Sequence, residues 1–104
     1  MDKYFYYNER LGIDVPVIKE DWDSLTTDIQ QSILLHWEKI RGKIPDRIKD
    51  LEKIINTKQS QLSNESNFDR SCQLNREIAD LASTINDLWL WFRTDQDISE
   101  KVHM

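Results

Sequence analysis

A seam of mostly apolar side chains runs through residues 67–93, and it limits what this chain can fold into. Its members are Ser71, Leu74, Ile78, Leu81, Ile85, Leu88 and Phe92. Their spacing alternates between three and four, which places them on one face of an α-helix and is the pattern of a coiled-coil seam. The pattern therefore predicts a long helix over about residues 67–93 whose apolar face must pack against a partner.

The preceding stretch predicts that partner helix over about residues 46–62. A second seam consists of Ile48, Leu51, Ile55 and Leu62. Pro45 is well suited to a first helical turn, and the run between the two predicted helices, residues 63–67, is polar and rich in turn formers. The two helices are therefore expected to lie antiparallel, as a helical hairpin closed by a short loop.

A further helix is predicted over about residues 27–41. Its apolar face comprises Ile29, Ile33, Trp37 and Ile40. Thr27 and Gln30 have the spacing of a capping box, in which each side chain satisfies a free backbone N–H group at the start of a helix. Gly42 directly follows and is suited to the C-terminal cap.

The sequence of 104 residues contains only two Gly and two Pro. Sandwiches, barrels and phosphate-binding loops depend on such residues, so an all-α class is predicted. Residues 1–26 are expected to form an irregular aromatic arm packed on the helices; Pro16 argues against a central strand, although a short extended segment is left open. Residues 94–104 are expected to fray. We therefore predict one small domain over residues 1–104, a three-helix bundle with this N-terminal arm.

The last predicted helix outruns its partner by roughly 8 residues, about 12 Å at the rise of an α-helix. The overhang contains residues 88–92, which are apolar on every side, and Trp37 and the segment Tyr4–Tyr7 are available to cover it. Trp89 is expected to lie in the core near Trp37. Trp91 is expected to be either covered by the segment Tyr4–Tyr7 or exposed as a docking anchor, since Trp is frequent among interface hot spots.

Side chains that bind metals or act as nucleophiles are scattered along the chain. His36, Cys72 and His103 are far apart, so no metal-ligand spacing is present. Cys72 lies beside the predicted seam and is typical of a small buried apolar residue. No Ser lies in a glycine-flanked turn, and no repeated Glu-x-x-Glu pattern occurs. The sequence therefore predicts no cofactor, no metal site and no enzymatic activity.

Positive charge is concentrated in the middle of an acidic chain. Residues 31–53 hold six basic against four acidic residues, whereas the whole chain has a net charge of −5. The residues of this basic elbow are Lys39, Arg41, Lys43, Arg47 and Lys49. Such an elbow suits nucleic acid or an acidic partner, but helix-dipole compensation and solubility also explain it. Because overall acidity weakens phosphate contact, a nucleic-acid accessory role is kept as the alternative function.

The segment from Ile55 to Leu81 carries an aromatic-acidic pair after the turn, two small residues, and then Leu, a polar pair, Ile and Leu. These positions are Phe68-Asp69, Ser71-Cys72, Leu74, Asn75-Arg76, Ile78 and Leu81. The segment resembles the UVR motif, a helical hairpin of excision-repair subunits B and C and of some Clp-type chaperone and regulator proteins. It departs from that motif at Asn75-Arg76, where the family has an Arg-Asp pair, and at Gln59, where the family prefers a hydrophobic residue. The resemblance implies a module that docks on another protein without catalysis.

The leading functional hypothesis is a non-catalytic interaction or regulatory protein. It would dock through its hairpin or its aromatic end on a protein partner or on a second copy, and whether it dimerises is left open. The single Cys and the absence of a signal-peptide core or a long apolar run predict a cytoplasmic location away from the membrane. The candidate partner-binding residues are Trp91, Tyr4, Tyr6, Tyr7, Lys39, Arg41, Lys43 and Arg47.

Overall fold

The computed structural model describes residues 2–94, most of which lie in helices. In chain order the elements are strand β1 (Phe5–Asn8), strand β2 (Ile13–Pro16), a 3-10 turn (Trp22–Ser24) and helices α1 (Thr27–Arg41), α2 (Ile44–Ser63) and α3 (Phe68–Phe92). The protein is elongated, with principal dimensions of 59 × 22 × 20 Å. The predominance of helix expected from the apolar periodicity is confirmed. The fraying expected for residues 94–104 falls, beyond Thr94, outside the described residues.

Helices α2 and α3 pack along one another as the predicted hairpin. An ion pair joins the two helices, since Lys58 Nζ lies 3.1 Å from Glu77 Oε2. The start of α3 is capped by Asn67, whose side-chain oxygen accepts a hydrogen bond from Arg70 N at 3.0 Å. This bond satisfies one of the backbone donors that a helix leaves free in its first turn.

Helix α1 begins and ends close to its predicted bounds, but its cap differs. Thr26 and not Thr27 is the N-cap, and its hydroxyl accepts a hydrogen bond from Ile29 N at 3.2 Å. Gln30 does not complete a capping box; its amide donates instead to the carbonyl of Trp22 at 2.8 Å. Gly42 ends the helix in a right-handed conformation with φ of −64°, so the chain passes into α2 through a short helical junction.

The N-terminal stretch is not the irregular arm that was predicted. Strands β1 and β2 pair antiparallel, with Phe5 opposite Pro16 and Asn8 opposite Ile13. Pro16 argues only against a central strand, because a central strand uses its backbone N–H groups to bond to a neighbour on each side. In a sheet of two strands each strand has an open edge, and a proline is tolerated where its missing N–H would point to that edge.

The tight turn between the strands packs against both helices of the hairpin. Leu11, at its centre, is buried, and Gly12 has a φ of +75° that side-chain-bearing residues rarely adopt. Arg10 donates to Asp87 Oδ2 at 2.7 Å and to Ser83 Oγ at 3.1 Å, both on α3. From the other side, Arg47 Nε of α2 donates to the carbonyl of Leu11 at 3.0 Å. The turn is therefore tied to both helices of the hairpin.

The buried core lies where the sheet, α1 and the adjoining ends of α2 and α3 meet. It is one cluster that comprises Phe5, Leu11, Ile13, Val15, Ile18, Ile33, Trp37, Ile40, Ile44, Ile48, Leu51 and Leu88. The amphipathic periodicity of the helices predicted half of these residues, and most of the others lie in the N-terminal segment. The core is consequently concentrated at one end of the hairpin, and the loop that closes the hairpin lies at the other.

Candidate docking surfaces

The aromatic end of the protein is organised around Trp37. Its ring is completely buried and meets the Trp91 ring edge to face, with centroids 5.5 Å apart. Its indole N–H donates to the carbonyl of Thr94, just beyond the end of α3. Because a buried indole N–H needs an acceptor, this bond ties the end of α3 to α1.

The prediction that Trp89 lies in the core is wrong, and of the two alternatives for Trp91 the covered one applies, although Trp37 covers it. Trp91 is half-buried against Trp37, whereas Trp89 is 38% exposed and contacts Phe92 edge to face at 5.5 Å. The reason is helical geometry. Trp91 follows the buried Leu88 by three positions and lies about 60° from it around the helix, whereas Trp89 follows by one and lies about 100° away. Trp91 is therefore covered by Trp37 and is not an exposed docking anchor.

This arrangement predicts unequal effects of truncating the two tryptophans. Trp91→Ala is expected to lower the free energy of unfolding by about 2–3 kcal/mol, somewhat below the usual loss for a fully buried aromatic side chain. Trp89→Ala is expected to cost about 1 kcal/mol, the typical value for a partly exposed position. Urea denaturation followed by circular dichroism measures both. A larger loss for Trp89→Ala than for Trp91→Ala would contradict the geometry described above.

Two arginines of the basic elbow are used inside the molecule. Arg41 pairs with Glu38 at 3.0 Å, donates to the carbonyl of Phe92 at 2.9 Å and lies over the Phe92 ring, 4.8 Å from its centroid. Arg47 holds the carbonyl of Leu11, as described above. The remaining members of the elbow, Lys39, Lys43 and Lys49, are exposed. Two of the five basic residues of the elbow, Arg41 and Arg47, therefore form hydrogen bonds that hold α3 and the sheet against the junction of α1 and α2.

A shallow cleft of ≈ 310 Å³ lies between the sheet and the junction of α1 and α2. It brings together three predicted partner-binding residues, Tyr7, Lys43 and Arg47. Its other lining residues are Gly12, Ile13, Asp14, Ile40 and Asp50. The cleft thus contains two acidic and two basic side chains, whose formal charges balance.

The part of the hairpin farthest from the core, residues 52–80, is named the distal hairpin here. Leu74 is its one buried residue. Phe68, the first residue of α3, is 79% exposed, and Ile54 on α2 is also exposed. The α2 part of this segment, residues 52–63, extends about 18 Å at the rise of an α-helix. The distal hairpin therefore projects from the core with an aromatic side chain beside its closing loop.

The outer strand of the sheet forms another exposed surface. The side chains of Tyr6 and Tyr7 on β1 are each 56% exposed, whereas Phe5 is buried edge to face against His36, with ring centroids 4.6 Å apart. Just before β1, Lys3 Nζ binds Glu20 Oε1 at 2.9 Å. This hydrogen bond and the opposite charges raise the pKa of Lys3 and lower the pKa of Glu20.

The remaining reactive side chains do not converge. Among residues 2–94 no three His, Cys, Asp or Glu side chains are grouped closely enough to hold a metal ion. Cys72 is half-buried on α3, and the ring of His36 packs on Phe5. His103 lies outside the described residues. Over the same part of the chain, no helix combines the length and the apolar character that crossing a bilayer requires.

Sequence reasoning missed the exposure of Phe68. Phe68 forms part of the pattern that resembles the UVR motif and was not among the predicted partner-binding residues. A signal was nevertheless present, because Phe68 stands one residue after the N-cap and outside the seam that begins at Ser71. A large apolar residue outside the seam at the first position of a helix points away from the partner helix.

Comparison with known proteins yields no match: no family model fits the chain, and neither a curated protein nor a solved structure is significantly similar to it. The likeness of residues 55–81 to the UVR motif therefore stays a prediction. Structurally the protein is a helical hairpin whose open end carries a short helix and a two-stranded sheet.

Proposed function

We propose that this protein is a non-catalytic interaction module that docks on another protein through its distal hairpin. The observation that carries the proposal is the position of Phe68, which is 79% exposed at the start of α3 on a pair of helices that extends away from the core. Burying an aromatic side chain of this size contributes about 1.5–3 kcal/mol, and rigid aromatic residues are favoured anchors at protein interfaces.

The packing of the open end supports this role. We propose that α1 and the hairpin act together as one three-helix unit, because Trp37 and Ile40 of α1 share a core with Ile48 of α2 and Leu88 of α3. A distal hairpin anchored in this way is held in place before binding. An anchor that is already ordered loses less conformational freedom on association, which favours affinity.

The aromatic end offers a second place for a partner to bind. Trp89 and the neighbouring Leu90 are partly exposed on α3, whereas Trp91 is covered. Any docking at this end would consequently use Trp89 and Leu90 in place of Trp91. The resemblance to the UVR motif, which implies a docking hairpin, favours the distal hairpin over the aromatic end.

A matched pair of variants tests the proposal by affinity capture from the native cell. Phe68→Ala is expected to abolish capture of the partner that binds the wild-type chain, because it removes the exposed anchor without touching the core. Leu35→Ala is the control, since Leu35 is a comparably exposed apolar residue on α1, 62% exposed. This control is expected to retain capture, and both variants are expected to unfold at nearly the wild-type denaturant concentration.

Several outcomes would contradict the proposal. Equal capture by Phe68→Ala and the wild type would exclude the distal hairpin as the docking surface, and loss of capture in Trp89→Ala alone would move it to the aromatic end. Titration with oligonucleotides at low salt addresses the alternative function. Binding that falls steeply as salt increases, and that is lost in Lys39→Ala or Lys49→Ala, would replace the proposal with a nucleic-acid role.

A further inference from the structure

The two-stranded sheet has one blocked edge and one open edge. Val17 N donates to the carbonyl of Tyr4 at 2.8 Å, which marks this pair as a hydrogen-bonded pair of the antiparallel ladder. Such pairs alternate along a ladder with pairs whose N–H and C=O groups point outward. In the observed register, the outward pairs are Phe5 with Pro16 and Tyr7 with Asp14.

The blocked edge is that of β2. Pro16 has no N–H group to offer there, and β2 lies against α1 with Val15 and Pro16 buried. Proline at an edge and a covering helix are both common means by which proteins prevent further strand pairing. The edge of β2 is therefore not available to a further strand.

The edge of β1 has neither protection. Its sequence, Phe-Tyr-Tyr-Asn, contains no charged residue and no proline, and Tyr6 and Tyr7 are each 56% exposed. Among residues 2–94, the outward N–H and C=O groups of Phe5 and Tyr7 form no hydrogen bond. An unprotected strand of this kind is a template for pairing with another chain.

We propose that β1 pairs antiparallel with β1 of a second copy of this chain, which joins two sheets across a two-fold axis at Tyr6. In this register Phe5 lies opposite Tyr7 of the second copy. The outward N–H and C=O groups of each residue then form hydrogen bonds with those of the other. Tyr6 faces its own equivalent in a non-hydrogen-bonded pair, where side chains approach most closely. Cross-strand aromatic pairs of this kind stabilise sheets.

Charge supports a second copy as the occupant. In the same register Lys3, which precedes β1, lies opposite Glu9 of the second copy, which follows β1. The two-fold axis repeats this contact, so the dimer contains it twice. Both side chains are exposed. Lys3 remains 70% exposed while it pairs with Glu20 of its own chain, so its ammonium group is accessible to a second carboxylate, and opposite charges that face each other across strands are favourable. A self-complementary arrangement of this kind is what a two-fold interface requires. The inference goes beyond the proposed function, since the sheet edge is separate from the distal hairpin and the aromatic end.

Sedimentation equilibrium of the full chain over a wide concentration range tests this pairing. The wild type is expected to form a dimer that dissociates on dilution. Tyr7→Pro is expected to be monomeric at all concentrations, because it removes an outward N–H while leaving the bonds between β1 and β2 in place. Asp14→Pro is the matched control, because Asp14 lies directly across from Tyr7 and loses the equivalent N–H at the other edge. This control is expected to dimerise like the wild type.

Charge reversal keeps the proposal testable if a proline variant fails to fold. Lys3→Glu alone and Glu9→Lys alone are each expected to weaken the dimer, and the double variant is expected to restore it. In a Cys72→Ser background, Tyr6→Cys is expected to form a disulfide dimer under mild oxidation, since directly opposed residues lie within the Cα separation a disulfide spans. Tyr4→Cys in the same background is expected to form no disulfide, because Tyr4 lies opposite Asn8 of the second copy and not opposite its own equivalent.

A wild-type chain that stays monomeric, or a dimer that persists in Tyr7→Pro, would overturn the inference. The first result excludes self-pairing, and the second places the contact on another surface. Neither outcome affects the capture experiment with Phe68→Ala, which depends on a different part of the molecule. Conversely, loss of capture with an intact dimer would leave the inference standing.

Discussion

Replacing Trp37 by alanine is expected to lower the free energy of unfolding by about 3–5 kcal/mol, as for other buried aromatic side chains. Trp37 is completely buried, it packs on Trp91, and its indole N–H is the donor to the carbonyl of Thr94. Truncation therefore opens a cavity and removes a buried hydrogen bond together. Urea denaturation monitored by far-ultraviolet circular dichroism measures the loss without depending on tryptophan fluorescence.

Two further variants separate these contributions. Trp37→Phe keeps much of the ring packing but leaves the carbonyl of Thr94 without its donor, and a buried unpaired polar group costs about 1–3 kcal/mol. A double-mutant cycle of Trp37→Ala with Trp91→Ala is expected to give a coupling energy of about 0.5–1.5 kcal/mol for the edge-to-face pair. Strictly additive losses, or a loss below about 1 kcal/mol for Trp37→Ala, would show that the aromatic end is not one packed unit.

The helices were predictable because their apolar residues recur with the helical period over many turns. The seams of α2 and α3 and the face of α1 at Ile33, Trp37 and Ile40 place buried residues correctly without reference to any distant part of the chain. Caps were less predictable, since Thr26 and Thr27 are both suitable and tertiary contacts decide between them. The interaction of Gln30 with the carbonyl of Trp22 is such a contact.

The sheet was missed because its stabilising contacts are distant in sequence. β1 and β2 have four residues each, too few for periodicity to distinguish a strand from an irregular segment. A two-stranded sheet alone is marginally stable in water, and this one depends on Leu11 in the core and on Arg10 and Arg47 across to the helices. Arg47 lies 36 positions after Leu11, whose carbonyl it binds, and Asp87 lies 77 positions after Arg10.

The candidate docking surfaces were predictable only in part. Residue type indicated that aromatic and basic side chains are suited to docking, but it does not indicate which of them form contacts within the protein and which stay exposed. Arg41 and Arg47 became structural contacts, Trp91 became covered, and Phe68 became exposed. In each case the outcome depends on the relative positions of two elements, which a single sequence does not specify.

Replacing Leu11 by alanine is expected to lower the free energy of unfolding by about 2–5 kcal/mol, the usual range for a buried leucine. Leu11 is 3% exposed at the tip of the turn between β1 and β2. The loss should be global and not local, because the sheet and the three helices share one core. Equilibrium denaturation by urea, read both by circular dichroism and by tryptophan fluorescence, is expected to show a single coincident transition.

Gly12→Ala is the companion variant, because it disturbs the same turn without removing any apolar area. A Cβ atom at Gly12 would lie 2.5 Å from Arg47 Nε, and the φ of +75° is itself unfavourable for alanine. The expected loss is about 1–2 kcal/mol from the backbone conformation, with a further loss if Arg47 releases the carbonyl of Leu11. In Arg47→Ala, which removes the Nε and Cζ atoms that a Cβ at Gly12 would meet, the steric part of this loss should disappear, while the backbone part remains. If Leu11→Ala instead melted the sheet alone and left the helical transition unchanged, the sheet would be an appendage to the hairpin and not part of its core.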